Sequence, residues 1–417
     1  MRVYKFGGAS VKDAEGVKSL GKIVQSNFES PLVVVVSAMG KMTNAFEEIT
    51  NLYFGKQDRL DKALDKIRNY HLEVIDKLFL ASQDNLIEQL EELFSDLKLF
   101  FRGNFHQNRA FVYDQIVVYG ELLCTKIIHH YLNSIGLDNV LIDSRKCIKT
   151  DSYFRDANLN WQLTIELIKK FVHPKKVTLA QGFIASDLAG NSTTLGREGS
   201  DYTAAIFGYA LDAQSVTVWK DVRGIMNGNP KIFDPTVLLK RVSYREAIEL
   251  AYYGASVIHP KTIQPVQRKK IPFFVRSFQE PHITGTKIGL GHKLKPKVSC
   301  FIKKENLVLL KISTLDFSFL IEKNISEVFA LLDRYQMRVE LTQNSAISFS
   351  VCFSNKYRRL IELISVLKKK FKVVVYRDVM LYTIRHFDQQ AIDRISKNGK
   401  RVLLEQRTLE TAQFVCI

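Results

Sequence analysis

The stretch that decides the fold is Thr193-Thr194-Leu195-Gly196-Arg197-Glu198-Gly199-Ser200-Asp201-Tyr202-Thr203. It predicts a loop that enters a helix at a place suited to anions. Gly196 and Gly199 allow backbone N–H groups to approach a ligand closely, and Ser200 is a candidate N-cap. The helix that follows turns its positive dipole end toward the ligand, with Arg197 and Asp201 beside it. The stretch therefore predicts a phosphate-type site, and the alternative is an ordinary capped helix after a turn.

A second informative segment opens the chain with Val3-Tyr4-Lys5-Phe6-Gly7-Gly8-Ala9-Ser10-Val11. It has the pattern of a strand, a glycine loop and a helix. A lysine at the carboxyl end of the first strand of an α/β sheet lies where ligands usually bind, and the paired glycines expose backbone donors beside it. The alternative is a β-turn with a surface lysine. A P-loop sequence does not occur in the chain, so a nucleotide would be held in another way.

The chain up to about residue 280 alternates strand and helix patterns. This alternation predicts an α/β fold in which a largely parallel sheet is sandwiched by helices. The predicted strands are Val3–Phe6, Leu32–Ser37, Asn139–Ile142, Lys176–Phe183, Ser215–Trp219 and Ile271–Val275. Residues from about 44 to 135 are different, because apolar side chains recur there at helical spacing and predict a helical lobe.

Periodicity stops at Phe278–Pro296, which predicts a domain boundary. The following residues, 300–376, give a strand and helix order of βαββαβ, which is the ferredoxin-like plan of an α+β domain. A shorter round of the same kind follows in residues 377–417. The predicted organisation is therefore one domain over 1–285 and two smaller units behind it.

The composition is that of a globular protein, with 46% hydrophobic and 25% charged residues among 417. No secretory signal is recognisable, and no apolar run approaches the roughly 20 residues that span a bilayer. The five cysteines lack metal-like spacing, so we expect reduced thiols and a cytoplasmic protein. Most of the net charge of +17 lies in the carboxyl-terminal third. It predicts a solvated basic face, and nucleic-acid binding is the distant alternative.

Six ordered motifs resemble those of the amino-acid kinase superfamily, and of the aspartate kinases within it. They are Lys5 to Val11, Ser37 to Asn44, Gly120-Glu121, Gln181-Gly182-Phe183, Thr193 to Thr203, and Tyr253 to Pro260. The resemblance covers most of the chain. It implies an amino-acid-kinase-type domain followed by two ACT-like domains, the second of them abbreviated.

The resemblance also implies a reaction, the transfer of the γ-phosphoryl group of ATP to the side-chain carboxylate of L-aspartate. Because that carboxylate is already ionised near pH 7, no general base is required. Charge neutralisation and positioning must supply the catalysis. Mg²⁺ is expected to enter bound to ATP, without protein ligands of its own.

The roles that the family match implies fall into three groups. The catalytic residues would be Lys5 and Asp201, with the carboxylate of Asp201 orienting the ammonium of Lys5. The residues that hold aspartate would be Thr43, Glu121, Arg197 and Ser200. The ATP-binding residues would be Lys5, Gly7, Gly8, Ser37, Gly40, Lys220, Asp221, Met226, Lys231 and Ser256.

Several of these positions depart from the pattern of many relatives, and the departures concern ATP affinity rather than reaction type. They are Ala9, Lys220, Met226, Asn229, Lys231 and Ser256. Regulation stays open between a lysine- or threonine-inhibited enzyme, an uninhibited enzyme with a structural dimerisation module, and an amino-acid sensor. A glutamate-type kinase is the nearest enzymatic alternative. A homodimer or higher homo-oligomer through the ACT-like region is expected.

Overall fold

The computed structural model describes residues 1–26, 31–55, 57–255, 257–291, 293–316, 318–396 and 400–417. The chain forms two compact units. The first comprises Met1–Ile225, Leu238–Ile248 and Val257–Pro296, and the second comprises Met226–Val237, Glu249–Ser256 and Lys297–Ile417. None of the helices in the described ranges combines the length and apolar content needed to cross a bilayer.

The first unit contains strands and helices in alternation. Its strands are β1 (Arg2–Phe6), β2 (Leu32–Val36), β3 (Asn139–Ile142), β4 (Val177–Gln181), β5 (Ile184–Ser186), β6 (Ser192–Thr194), β7 (Ser215–Lys220), β8 (Arg241–Ser243), β9 (Phe273–Ser277) and β10 (Thr286–Gly289). The helices up to residue 268 are α1 (Ala14–Gln25), α2 (Met42–Phe54), α3 (Leu60–Leu78), α4 (Asp84–Gly103), α5 (Arg109–Val117), α6 (Tyr119–Ser134), α7 (Ser144–Cys147), α8 (Trp161–Phe171), α9 (Gly199–Ala210), α10 (Tyr244–Tyr253) and α11 (Pro260–Arg268). Short 3₁₀ segments cover Gly8–Val11 and Gln57–Arg59.

Among the described residues, the main sheet has the strand order β3-β4-β2-β1-β7-β9-β10-β8. All neighbouring pairs run parallel except β9 with β10. The residues of β2 are completely or almost completely buried, as expected for a strand covered on both faces. The predicted α/β fold with a largely parallel sheet is therefore confirmed, and β1 lies at its centre, where Lys5 stands opposite Val35 and Val218.

The helical lobe predicted for residues 44 to 135 consists of α2 to α6. The residues predicted at helical spacing in α3 are all buried, and they are Leu60, Leu64, Ile67, His71, Val74 and Leu78. One of them is His71, whose ring is fully buried and whose Nδ1 lies 2.7 Å from the Ile67 carbonyl oxygen. Its Nε2 has no hydrogen-bond partner among the described residues. Burial lowers the pKa of His71 to about 4, because a charged imidazolium is disfavoured there.

The second unit is built on an antiparallel sheet and the helices between its strands. Its elements after residue 297 are β11 (Cys300–Thr314), α12 (Glu322–Arg334), β12 (Arg338–Asn344), β13 (Ser348–Ser354), α13 (Leu360–Leu367), β14 (Phe371–Arg385), α14 (Gln389–Ser396), β15 (Val402–Arg407) and β16 (Thr411–Cys416). The strand order within the described residues is β12-β13-β11-β14-β16-β15. The βαββαβ pattern predicted for residues 300–376 is thus present as α+β structure.

The two predicted rounds share this one sheet, because β11 and β14 are long strands that run through both. Residues 300–304 of β11 pair with residues 381–385 of β14, whereas the later part of β11 pairs with residues 371–379. The register shifts between Lys304 and Leu307, where Asn306 has a φ of 56°. The strand continues past this bulge through charged residues. These residues interrupt the apolar alternation from which a strand is predicted. The division into 300–376 and 377–417 stays a prediction, and its boundary falls inside β14.

Candidate active site

A cavity of about 500 Å³ opens in the first unit where β1, β2 and β7 end. The carboxyl ends of parallel strands meet at one edge of a sheet, so side chains far apart in sequence come together there. The cavity is lined by Lys5, Gly8, Ser37, Ala38, Gly40, Thr43, Tyr113, Glu121, Arg155, Phe183, Gly196, Arg197, Glu198, Gly199, Ser200, Asp201 and Lys220. This set brings together both sequence segments from which the site was predicted.

Asp201 joins two ammonium groups inside this cavity. Lys5 Nζ lies 2.6 Å from Asp201 Oδ1, and Lys220 Nζ lies 3.0 Å from Oδ2. The Asp201 side chain is 2% exposed, and that of Lys5 is 9% exposed. Burial alone would raise the pKa of Asp201, but the two ammonium groups outweigh it and hold the pKa below its usual value. The group is therefore a carboxylate at neutral pH with a net positive charge around it.

The loops that follow β1 and β2 touch each other at Gly8. A Cβ atom on this residue would lie 2.7 Å from the Gly40 carbonyl oxygen and 2.8 Å from that of Ala38. The Gly40 N–H donates to the Gly8 carbonyl oxygen at 3.0 Å, and Gly40 itself has a φ of 51°. Glycine at position 8 allows this close approach, and glycine at position 40 adopts the left-handed φ without a steric cost. The two loops thereby form one backbone-lined wall of the cavity.

Helix α9 begins two residues earlier than the sequence predicts. Its first residue is Gly199, and Glu198 is the N-cap with a φ of 53° and no side-chain capping bond. Ser200, predicted as the N-cap, is instead the second residue of the helix, so that prediction was wrong. The left-handed turn at Glu198 accounts for the shift. It leaves the first N–H groups of α9 without a side-chain cap at the cavity.

Glu121, in α6, is an unusual acid in this cavity because it is only 1% exposed. Its Oε1 accepts a hydrogen bond from the Ala38 N–H at 3.3 Å, and its Oε2 has no partner among the described residues. Burial raises the pKa of Glu121 to about 8. A buried acid that lines a cavity and has one oxygen without a hydrogen-bond partner is suited to a cationic group of a ligand.

Of the other predicted residues, Ser37, Thr43, Arg197 and Ser200 also line the cavity, whereas Gly7 lies next to its wall in sequence. Asp221 is exposed in the turn that follows β7. Met226 and Lys231 belong to the second unit. Ser256 lies outside the described residues. Among those residues, no group of three or more His, Cys, Asp or Glu side chains is placed to hold a metal ion.

The sequence did not identify Tyr113 and Arg155 as site residues. Tyr113 precedes the Gly120-Glu121 motif in the chain, but its aromatic ring gives no signal of its own. Arg155 lies in an irregular segment between α7 and α8 without a recognised motif. Phe183 was noticed in Gln181-Gly182-Phe183 but had no assigned role.

Comparison with known proteins agrees with the geometry. The amino acid kinase family model matches residues 1–277. The lysine-sensitive aspartokinase 3 of Escherichia coli (strain K12) is 31% identical over 358 residues, which cover 84% of this chain and 77% of that protein. A chloroplastic bifunctional aspartokinase/homoserine dehydrogenase 2 of Arabidopsis thaliana is 29% identical, and the match covers 88% of this chain but 42% of that protein.

Two solved structures of Escherichia coli aspartokinase III are similar along the whole chain. The one in complex with lysine and aspartate has a TM-score of 0.84 at 26% identity, covering 100% of this chain and 95% of that one. The one in complex with aspartate and ADP has a TM-score of 0.81 at 27% identity, covering 100% and 96%.

Proposed function

Because the chain belongs to the aspartokinases of the amino acid kinase family, we propose that it is an aspartate kinase. It transfers the γ-phosphoryl group of ATP to the side-chain carboxylate of L-aspartate and gives 4-phospho-L-aspartate. The observation that carries this proposal is the Lys5–Asp201–Lys220 cluster, which shares a cavity with Glu121 and Arg197. The cavity offers positive charge for phosphates and a separate acid for an ammonium group.

The transfer brings two anions together, so neutralisation of charge is the main task of the protein. The Lys5 ammonium is proposed to span the phosphates and to neutralise charge as the γ-phosphoryl group moves. Asp201 cannot itself approach phosphates without repulsion, and its contact with Lys5 at 2.6 Å supports a role in orienting that ammonium. Lys220, on the other oxygen of Asp201, adds a second cation.

Aspartate presents an ammonium group and two carboxylates. The unpartnered Oε2 of Glu121 is suited to accept from the ammonium, and the planar fork of Arg197 is suited to grip a carboxylate. Thr43 and Ser200, which line the same cavity, are proposed to add hydrogen bonds. The second carboxylate is thereby left to face the phosphoryl group near Lys5.

The ATP site is proposed to include the backbone wall at Gly7, Gly8, Ser37 and Gly40. On the family resemblance, Asp221 is proposed to belong to it, whereas the ATP-binding roles of Met226, Lys231 and Ser256 stay predictions from the sequence. The described residues offer no metal cluster, and Asp201 is occupied by two ammonium groups. We therefore propose that Mg²⁺ enters on the phosphates of ATP, where it would neutralise charge.

The substrate is tested by measuring ADP release with aspartate, glutamate or N-acetylglutamate as acceptor. Aspartate is expected to be used in strong preference to the other two. Activity on glutamate alone would refute the substrate and favour the glutamate-type alternative. Aspartate binding without any ADP release would favour the sensor.

Regulation by an end product is proposed through the ACT-like second unit. Support comes from the lysine-sensitive aspartokinase 3 of Escherichia coli and from the structure of Escherichia coli aspartokinase III in complex with lysine and aspartate. The enzyme would then act at the start of lysine, threonine and methionine biosynthesis, as a cytoplasmic homodimer joined through this unit. Titration of the reaction with lysine, threonine and methionine, together with light scattering, tests these points.

A further inference from the structure

Arg155 has a backbone conformation that arginine seldom adopts. Its φ is 73°, in the left-handed region. The Arg155 N–H donates to Asp114 Oδ2 at 2.9 Å, and the Ala157 N–H donates to the Thr194 carbonyl oxygen at 3.0 Å. These bonds hold the segment in place. Residues in such conformations are often found at functional sites, so the contacts of the Arg155 side chain bear on its function.

Asp114 links the Arg155 segment to the strand that leads to Arg197. This carboxylate is fully buried and accepts from the Thr194 N–H at 3.0 Å and from Thr194 Oγ1 at 2.8 Å, as well as from Arg155. Thr194 ends β6, three residues before Arg197. One buried acid therefore fixes the backbone positions from which two arginines reach the same cavity.

The guanidinium of Arg155 is supported by an aromatic ring and by one exposed acid. It lies 4.0 Å from the centroid of the buried Tyr113 ring, and its Nη2 lies 2.8 Å from Glu47 Oε1. The side chains of Arg155 and Glu47 are 51% and 45% exposed. An ion pair this exposed is weak and exchanges partners readily, whereas the Tyr113 ring stays as a fixed platform.

We propose that Arg155 is a substrate-binding residue that grips the α-carboxylate of aspartate together with Arg197. On binding, its guanidinium leaves Glu47 for the substrate carboxylate and remains stacked on Tyr113. Two planar cations on the carboxylate that is not phosphorylated leave the side-chain carboxylate free for the γ-phosphoryl group. This inference rests on the proposed function, since it presumes an amino-acid acceptor in this cavity.

Arg155→Gln removes the charge and is expected to raise the KM for aspartate about tenfold, as for the loss of a charge-assisted hydrogen bond. The kcat and the KM for ATP should stay within about twofold. Arg155→Gly removes the guanidinium but relieves the left-handed backbone, so it should raise the KM equally without loss of thermal stability. Arg155→Lys keeps the positive charge but lacks the planar guanidinium. Its KM for aspartate should lie between those of the wild type and Arg155→Gln.

The matched control is Arg109→Gln. Arg109 is also exposed, and its guanidinium lies 4.9 Å from the centroid of the Phe54 ring, but it does not line the cavity. It should leave the KM for aspartate unchanged. If the KM of Arg155→Gln for aspartate stays within about twofold of the wild-type value, Arg155 has no role in binding and the proposal is overturned. If kcat and the affinity for ATP fall together with the affinity for aspartate, the role of Arg155 is structural and the proposal is also overturned.

Calorimetric titration with aspartate separates this inference from the proposed function. Weaker binding of aspartate by Arg155→Gln supports the inference even if the wild-type protein phosphorylates another acceptor. Equal binding by the variant and the wild type overturns it even if the wild type is an active aspartate kinase. A wild-type protein that neither binds nor phosphorylates aspartate overturns both.

Discussion

At the scale of the residue, the site depends on two acids that are buried away from water. Asp201 is buried between Lys5 and Lys220, and Glu121 is buried with one oxygen unpaired. The two ammonium groups stabilise the Asp201 carboxylate, whereas burial disfavours the ionised form of Glu121 in the empty cavity. The net positive charge around Asp201 favours an added anion, and an ammonium group would favour ionised Glu121, so both places are suited to ligands.

Replacement of Lys5 should show how much of the rate depends on its charge. Lys5→Met is expected to lower kcat at least about 100-fold, because a pre-oriented cation at the transferring group is lost. Asp201→Asn should lower kcat less, since the ammonium remains but is no longer oriented. Lys18→Met, at a lysine paired with Glu15 on the surface of α1, is the control. Steady-state kinetics check this, and a Lys5→Met enzyme of normal kcat would contradict the assignment.

Binding of aspartate should release a proton from Glu121. Burial raises the pKa of Glu121 in the empty site to about 8, so this side chain is protonated at pH 7. It ionises when the ammonium group of the substrate binds beside it. Calorimetry at pH 7 in buffers of different ionisation enthalpy should detect close to one proton released, and none for Glu121→Gln. The folded protein holds this proton more tightly than the unfolded chain does. The free energy of unfolding should therefore fall as the pH rises from the pKa of Glu121 in the unfolded chain toward 8. Binding with no proton release would count against this role.

At the scale of the element, the cavity exists because loops and helix ends approach one another closely. Gly8 lies against Gly40 and Ala38, and Gly199 opens α9 after a left-handed Glu198. Glycines and lysines at strand ends have clear sequence signals, so these parts of the site could be predicted. The start of α9 could not, because Ser200 is a good N-cap in isolation and only the turn at Glu198 moves the helix start.

Gly8→Ala tests the contact between the two loops. The new Cβ would lie 2.7 Å from the Gly40 carbonyl oxygen, so one loop must move and the cavity wall with it. We expect kcat/KM for ATP to fall about 100-fold, as a displacement of roughly 1 Å can cause. Gly103→Ala, where a Cβ meets no atom within 4 Å, is the matched control. Equal activity of the two variants would show that the loop contact is not needed.

The helical lobe should be weakened by acid through His71. Its pKa is lowered to about 4 in the folded protein, so the unfolded chain binds a proton first as pH falls below about 6.5. Between pH 7.5 and pH 5 this costs about 2 kcal/mol of stability. His71→Leu should remove most of that loss, whereas His282→Leu, at an exposed site, should not. Urea unfolding at pH 7.5 and pH 5 measures the free energy of unfolding. If His71→Leu loses as much stability between these pH values as the wild type does, His71 is not the cause.

At the scale of the whole molecule, the pattern of apolar residues predicts the sheet and the helices better than the places where one strand continues from one predicted domain into the next. The parallel sheet follows from buried strands such as β2, and the helical lobe follows from the spacing in α3. The continuity of β11 and β14 does not, because charged residues such as Lys303 and Asp378 interrupt the apolar pattern inside each strand. Arg155 was missed for a similar reason, since its position depends on Asp114, 41 residues away in sequence.

The measurement that tests the account most directly is the identity of the phosphorylated product. An acyl phosphate reacts with hydroxylamine to give a stable hydroxamate, whose position on the amino acid is readable by mass spectrometry. With ATP and aspartate, the protein should yield the hydroxamate of the side-chain carboxylate, and Lys5→Met should yield almost none. A hydroxamate formed from glutamate but not from aspartate, or equal yields from the wild type and Lys5→Met, would contradict the account.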